Sequence, residues 1–293
     1  MCNDGLDVAN LLYEVKETGA FSKNKVNLDA AGLIDAVQAD CMIELSTLSI
    51  TDGQPAISYI ERGFGRGLHV ITANKGPVAL KFKELNSMAE KTKRIFLYET
   101  TVLAGAPLFN LARETLKGCR ILSFSAILNA TTNFILEEMG EKGISYDEAL
   151  KEAQRLGFAE ADPTMDVEGY DAAAKTAILL NVFMDGETSP DRIKRTGITS
   201  VRHSDIIKTK NEGGKIKLLC RGYMKNGQAF GSVEPTVLPF SDPLAFVKSS
   251  GVTLETDLMG KLSILIHEPK MMQVAYGIYI DVMTLVERLR IKE

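Results

Sequence analysis

The sequence predicts an α/β fold, a parallel-sheet part followed by an α+β part. Three observations carry this. From about Asp40, short apolar runs alternate with amphipathic helical stretches. Past Pro107 the order of helices and strands changes. Further on, Asn226-Gly227 separates two strand-like runs as a two-residue hairpin turn.

Taken in order, residues 41–45 form a short apolar strand followed by Ser46 and Thr47. Residues 55–66 can form a helix with Ile57, Ile60 and Phe64 on one face. Residues 68–72 make the next strand, and the loop Ala73-Asn74-Lys75-Gly76-Pro77 follows it. A second helix over 78–92 and a third strand over 94–98 complete the alternation. That order predicts right-handed crossovers and a parallel sheet, an architecture of nucleotide-binding type that does not by itself define a function. Beyond it, helices over 107–117, 131–141 and 145–156 surround a strand near 120–127, and a long apolar helix covers 170–185. Residues 214–238 are antiparallel strands, residues 241–266 continue in that style, and a helix over 275–290 follows.

With 293 residues, 45% of them hydrophobic, the chain has ample material for a core. A quarter of its residues are charged, which excludes a fibrous or disordered chain. No run reaches the roughly 18 apolar residues of a membrane span. The first twelve residues lack the basic-then-apolar pattern of a signal peptide. Four scattered cysteines, at 2, 41, 119 and 220, suit neither a metal cluster nor a disulfide scaffold, so a reducing, cytoplasmic setting is expected. Charge is uneven. Residues 137–171 hold eleven acids against three bases, and residues 192–225 ten bases against two acids. The plain reading is two oppositely charged surface regions. The basic stretch lacks the interleaved aromatics and motif spacing of a nucleic-acid binder.

Gly63-Phe64-Gly65-Arg66-Gly67 looks like a dinucleotide fingerprint, but it ends a helix and precedes a strand. A pyrophosphate loop needs the reverse order, so these glycines read as a helix C-cap and turn. Better candidates lie past the strand ends, where ligands bind in open parallel sheets: Ser46-Thr47 and Ala73-Asn74-Lys75. Lys75 opposes the positive end of the helix it precedes. That fits either a solvated loop lysine or a cation placed for an anionic or carbonyl ligand.

The densest signal runs over 157–183. Glu160, Asp162, Asp166, Glu168 and Asp171 crowd together, and Lys175 is the only charge between Ala172 and Met184. Asp171 and Lys175 share a helix face at i, i+4. A lysine on such a helix is at least half buried and needs a partner, and Asp171 can orient it. Glu160 and Asp162 then remain for a cationic group such as a substrate amine. A calcium-like acidic loop or a plain salt-bridged helix start would share this pattern. The stretch 99–107, rich in small residues, is either a tight turn or a monovalent-cation site with Glu99 as charged ligand.

Four segments together resemble homoserine dehydrogenase: 72–77, 98–107, 127–136 and 157–175, in that order, with weaker similarity from Asp4 onward. The resemblance implies a Rossmann-like nucleotide-binding domain (1–106), an α+β substrate and dimerisation domain (107–270) and a C-terminal helix (271–293) returning to the first. It implies NADP- or NAD-dependent interconversion of aspartate semialdehyde and homoserine, in threonine and methionine synthesis, by a homodimer. Lys175 and Lys75 match the active-site lysines, with Asp171 orienting Lys175. Glu160 and Asp166 match the holders of the substrate amino group, and Asn129 and Thr131 a substrate-side loop. Ser46, Thr47, Ala73, Asn74 and Lys75 match cofactor-contacting positions. Glu99 with the carbonyls of Val102, Ala104 and Ala106 matches a sodium site. Three departures stand out. The family's opening strand and Gly-x-Gly-x-x-Gly turn are missing from this sequence, which starts Met1-Cys2-Asn3-Asp4-Gly5. Ala130 replaces a glycine, and Ile266-His267-Glu268-Pro269-Lys270 stands where another glycine-rich turn is expected. The competing class is a non-catalytic binding protein that kept the substrate pocket and lost its dinucleotide site.

Overall fold

The computed structural model describes residues 5–20, 27–267 and 270–290, so Met1 to Asp4 and Glu268-Pro269 lie outside the described residues. Helices α1 (Val8–Thr18) and α2 (Ala30–Ala36) come first. Then β1 (Cys41–Glu44), α3 (Ala56–Gly65), β2 (His69–Thr72), α4 (Lys75–Lys91) and β3 (Phe96–Leu97) form the expected alternation. The three strands pair in parallel in the order β1-β2-β3. The glycine-rich stretch behaves as a helix end: Gly67, at φ +78°, turns the chain from α3 into β2.

Two boundaries depart from expectation. Helix α4 starts at Lys75, not 78, because the Asn74 side chain caps it by accepting the Gly76 N–H at 3.2 Å. The third strand shrinks to two residues. Arg94 N–H still bonds back to Ala89 O at 2.7 Å, and the Tyr98 carbonyl already accepts from Thr101. Helix α4 also departs from helical geometry at Lys81, two residues past a carbonyl, that of Ala79, which accepts the Asn181 side-chain amide at 3.1 Å.

Next come α5 (Thr100–Leu103) and α6 (Leu108–Asn110), continued by a π-helical turn over Leu111–Thr115. The single helix expected over 107–117 is thus broken. Its first free N–H groups, on Phe109 and Asn110, donate to the Glu99 carboxylate at 2.8 and 2.7 Å. Beyond it lie β4 (Ile121–Ile127), α7 (Ala130–Lys142), α8 (Tyr146–Arg155), α9 (Thr164–Val167) and α10 (Tyr170–Met184). They are followed by β5 (Lys194–Arg195), α11 (His203–Asn211), β6 (Gly214–Lys225), β7 (Gln228–Pro239), β8 (Ser250–Thr256), β9 (Gly260–Ile266) and α12 (Met271–Arg290). A six-stranded sheet runs β5-β7-β6-β4-β8-β9, with β6 and β7 joined at Asn226-Gly227 as a twelve-pair hairpin.

Helix α10 lies between α4 and the strands β6 and β7, and its alanines 172–174 and 177 are buried. Small side chains let it approach both neighbours closely, which brings Lys175 near the α4 start. A run of rings, Phe64, Phe96, Tyr98, Phe109 and Phe183, each 5.1–5.7 Å from the next, continues the core from α3 to α10. Helix α12 packs back on the parallel sheet through Leu285 against Ile71 and Leu97. It approaches backbone to backbone: a Cβ on Gly105 would sit 2.1 Å from Gln273 O, and one on Gly277 3.0 Å from Ala104 O.

The two charged regions are not simply surface. Lys217 is fully buried, donating to Asn133 Oδ1 (2.7 Å) and Val247 O (2.9 Å) and pairing with Glu137, which also holds Lys215. Part of the basic stretch therefore neutralises part of the acidic one inside the fold.

Candidate active site

Three segments far apart in sequence converge on one carboxylate. Asp171, in the first turn of α10, has a side chain only 13% exposed. Its Oδ1 accepts from Lys75 Nζ at 2.5 Å, and its Oδ2 pairs with Lys175 Nζ at 2.8 Å. Lys175 also donates to the carbonyl of Leu128, at the end of β4, at 2.6 Å. Burial works to raise the Asp171 pKa, but Lys175 and then Lys75 outweigh it and hold the carboxyl well below the usual carboxylate range. Lys75 opens α4, where a cation opposes the helix dipole, and Asp171 supplies the compensating charge.

Asn129 ties in the rest. Its Nδ2 donates to Asp166 Oδ1 (2.6 Å) and to Asp171 Oδ2 (3.1 Å), while its Oδ1 accepts the Thr132 N–H and hydroxyl at 2.9 and 3.0 Å. The amide is saturated, so it holds the carboxylates in place. Thr131 donates to Phe158 O at 2.7 Å, anchoring α7 to the loop that carries Glu160. The Glu160 side chain is exposed and makes no hydrogen bond among the described residues. Asp162 Oδ1 accepts the Thr164 N–H (3.1 Å) and hydroxyl (2.6 Å), which holds the start of α9 and leaves its other carboxylate oxygen exposed.

The loops after β1 and β2 meet at the carboxyl edge of the parallel sheet. Glu44, 4% exposed, accepts from Ser46 N–H (2.7 Å), Ser46 Oγ (2.5 Å) and Thr72 Oγ1 (2.7 Å). Asn74 Nδ2 reaches the carbonyls of Ser46 and Thr47 at 3.3 and 3.4 Å. Gly76 lies under this loop; a Cβ there would stand 2.2 Å from Ser49 O. Ser46, Thr47, Ala73, Asn74 and Lys75 are thus brought to one edge.

Glu99 belongs to a separate cluster. It is 1% exposed, its N–H donates to Asp281 Oδ2 at 2.9 Å, and burial pushes its carboxyl up to about 7 against the lowering effect of its two backbone donors. Burial likewise pushes Asp281 up to about 6. Thr100 Oγ1 is buried and unpartnered, and the Asn110 side-chain amide stands against the Asp281 carboxyl and works to lower its pKa. Sequence reasoning missed Glu44, Thr72, Leu128 and Asp281. The available signal was weak: a glutamate ending an apolar strand and an aspartate within an apolar helix.

The chain is similar to known proteins in sequence and in fold. The homoserine dehydrogenase family model matches residues 107–283. A homoserine dehydrogenase of Methanocaldococcus jannaschii is 40% identical over 260 residues, covering 87% of this chain and 76% of that protein. The chain belongs to the homoserine dehydrogenase family. An NAD(+)-dependent homoserine dehydrogenase of Pseudomonas canavaninivorans is 36% identical over 270 residues, 90% of this chain and 76% of its own length. A hyperthermophilic archaeal homoserine dehydrogenase in complex with NADPH superposes with a TM-score of 0.83 at 26% identity, covering 97% of this chain and 84% of that one. Membership favours an oxidoreductase over the non-catalytic alternative. It also agrees with the Rossmann-like plus α+β architecture.

The ion cluster makes a pH prediction. Asp171 has a folded pKa below its ordinary value of 3.8, so its stabilisation is complete above 3.8 and is lost as pH falls through the folded value. Asp171→Asn leaves two ammoniums without their shared anion and should cost about 3 kcal/mol. The melting-temperature gap between the wild type and this variant should be constant from pH 5 to 8 and narrow only below pH 4. A gap that closes near pH 6 would contradict the assignment.

Proposed function

We propose that this chain interconverts L-aspartate 4-semialdehyde and L-homoserine with NADP or NAD, and that Lys75, Asp171 and Lys175 form the site of proton transfer. The observation that supports it most is the carboxylate shared by two lysines from different parts of the fold. The converged loops at the sheet edge fit the nicotinamide end of a dinucleotide: Lys75 stands beside them, and the close approach at Gly76 holds the loop over the α4 start. When bound, that group supplies or receives a hydride at the carbonyl carbon.

Lys175 spends two N–H bonds on Leu128 O and Asp171 and keeps one; Lys75 spends one and keeps two. The remaining donors can bond the substrate carbonyl oxygen and deliver a proton to it as negative charge develops there. Two ammoniums against one carboxylate leave one positive charge in surplus for that oxygen. Asp166, with one carboxylate oxygen beyond its Asn129 contact, and Glu160 at the rim bind the substrate ammonium. Asn129 and Thr131 set those carboxylates and their loop in place.

Glu99 and the carbonyls of Val102, Ala104 and Ala106 would hold a sodium ion. Two buried carboxyl groups, Glu99 and Asp281, with the unpartnered Thr100 hydroxyl beside them fit a cation there. A second copy of the chain covers the sheet face turned away from α10, where Tyr223 and Phe230 stack 5.5 Å apart and stand 45% and 39% exposed. Among the described residues no helix is long and apolar enough to cross a membrane. The free thiols of Cys41, Cys119 and Cys220 suit a cytoplasmic setting.

Steady-state semialdehyde reduction tests the central assignment. Lys175→Ala should lower kcat by about 10²-fold to 10⁴-fold while cofactor affinity stays within about threefold of wild type. Near-normal turnover would refute it. For the cation, exchanging sodium for tetramethylammonium should lower the melting temperature by about 3 °C or more. Glu99→Gln should abolish that ion dependence, and a melting curve indifferent to the ion would remove the sodium site.

A further inference from the structure

We propose that Glu44 is a positioning residue that locks the two cofactor-facing loops together through a closed ring of hydrogen bonds. The inference rests on the reading of those loops given above. Each link of the ring is visible. From β1, the Glu44 carboxylate takes the Ser46 N–H and hydroxyl on one oxygen and the Thr72 hydroxyl of β2 on the other. Thr72 Oγ1 in turn accepts the Asn74 N–H at 3.0 Å. Asn74 closes the circuit by donating to the Ser46 and Thr47 carbonyls, while its Oδ1 caps α4 at Gly76. The Ala73 N–H, at 3.4 Å from the Glu44 carbonyl, runs alongside.

Buried carboxylates are normally paired with a cation. Glu44 is buried, and among the described residues no lysine or arginine bonds to it. Three hydroxyl and amide donors take that place, and all belong to the ends of β1 and β2. Neighbouring parallel strands are paired along their length but diverge past their ends, so the ladder does not fix the relative position of the two loops. The ring does so at the carboxyl edge, and it fixes the N-cap from which Lys75 starts α4. Its loss therefore loosens cofactor binding before it disturbs the substrate carboxylates, which other contacts hold.

The experiment compares Glu44→Gln, Thr72→Val, Thr72→Ser and the double Glu44→Gln/Thr72→Val with the wild-type chain. NADH and NADPH affinities are measured directly by titration calorimetry, which suits a chain without tryptophan. KM and kcat for cofactor and semialdehyde are measured in parallel. Glu44→Gln and Thr72→Val should each raise the cofactor Kd and KM about fivefold to tenfold. Semialdehyde KM should stay within about threefold, and Thr72→Ser, which keeps the hydroxyl, within about twofold of wild type. The double variant should be no weaker than the weaker single, because both cut the same ring. Partial unfolding lowers kcat and the calorimetric stoichiometry but leaves KM and Kd unchanged, so a stability effect would not imitate this result. Cofactor affinities unchanged in both single variants, or losses that multiply in the double, would overturn the ring and leave the dehydrogenase reading standing. A wild-type chain that binds neither dinucleotide would overturn both.

Discussion

The Asp171 carboxylate has to satisfy two ammoniums at once, and much of the site's geometry follows from that requirement. Two lysines held this close repel, and each would otherwise seek solvent. Lys75 carries the added disadvantage of standing at the positive end of α4. A single anion between them removes both penalties while leaving a net positive charge. That surplus suits a carbonyl oxygen becoming an alkoxide, a charge that exists only during the reaction.

The fold delivers this arrangement by packing rather than by local sequence. Lys75 and Asp171 are 96 residues apart, and they meet because α10 lies flat against α4. The buried alanines of α10 permit the approach, and Asn181 bonds Ala79 O on α4 and Thr188 O to fix it lengthwise. On the other side, α10 rests on β6 and β7, and Leu128 at the end of β4 fixes Lys175 through its carbonyl. Each lysine therefore draws its position from a different sheet, and at Asp171 the two arrangements meet on one carboxylate.

How far this was legible in sequence depended on whether a residue's meaning was local. Lys175 stood out because it is the only charge in a long apolar stretch, and Asp171 because i, i+4 spacing is a property of one helix. The hairpin at Asn226-Gly227 is likewise local. The Lys75 contact with Asp171 could be suspected only as a lysine in an unfavourable place. Glu44 was invisible, since a glutamate ending a strand usually faces solvent and its partners arrive from the next βα unit. Lys217 misled for the same reason: its partners lie on α7 and at Val247, so a buried lysine counted as surface charge. The broken helix after Pro107 was hidden because Glu99, ten residues upstream of Phe109, takes N–H groups that the local pattern leaves open.

If Asp171 makes Lys75 and Lys175 one catalytic unit, the two lysines cannot contribute independently. A double-mutant cycle on kcat/KM for semialdehyde reduction, built from Lys75→Met, Lys175→Met and the double variant, measures this directly. The account predicts that the double variant loses little more than the more damaged single, within about threefold. Losses that multiply would show two separate contributions, and a Lys75→Met variant with wild-type kcat/KM would show that the shared carboxylate does not join them at all.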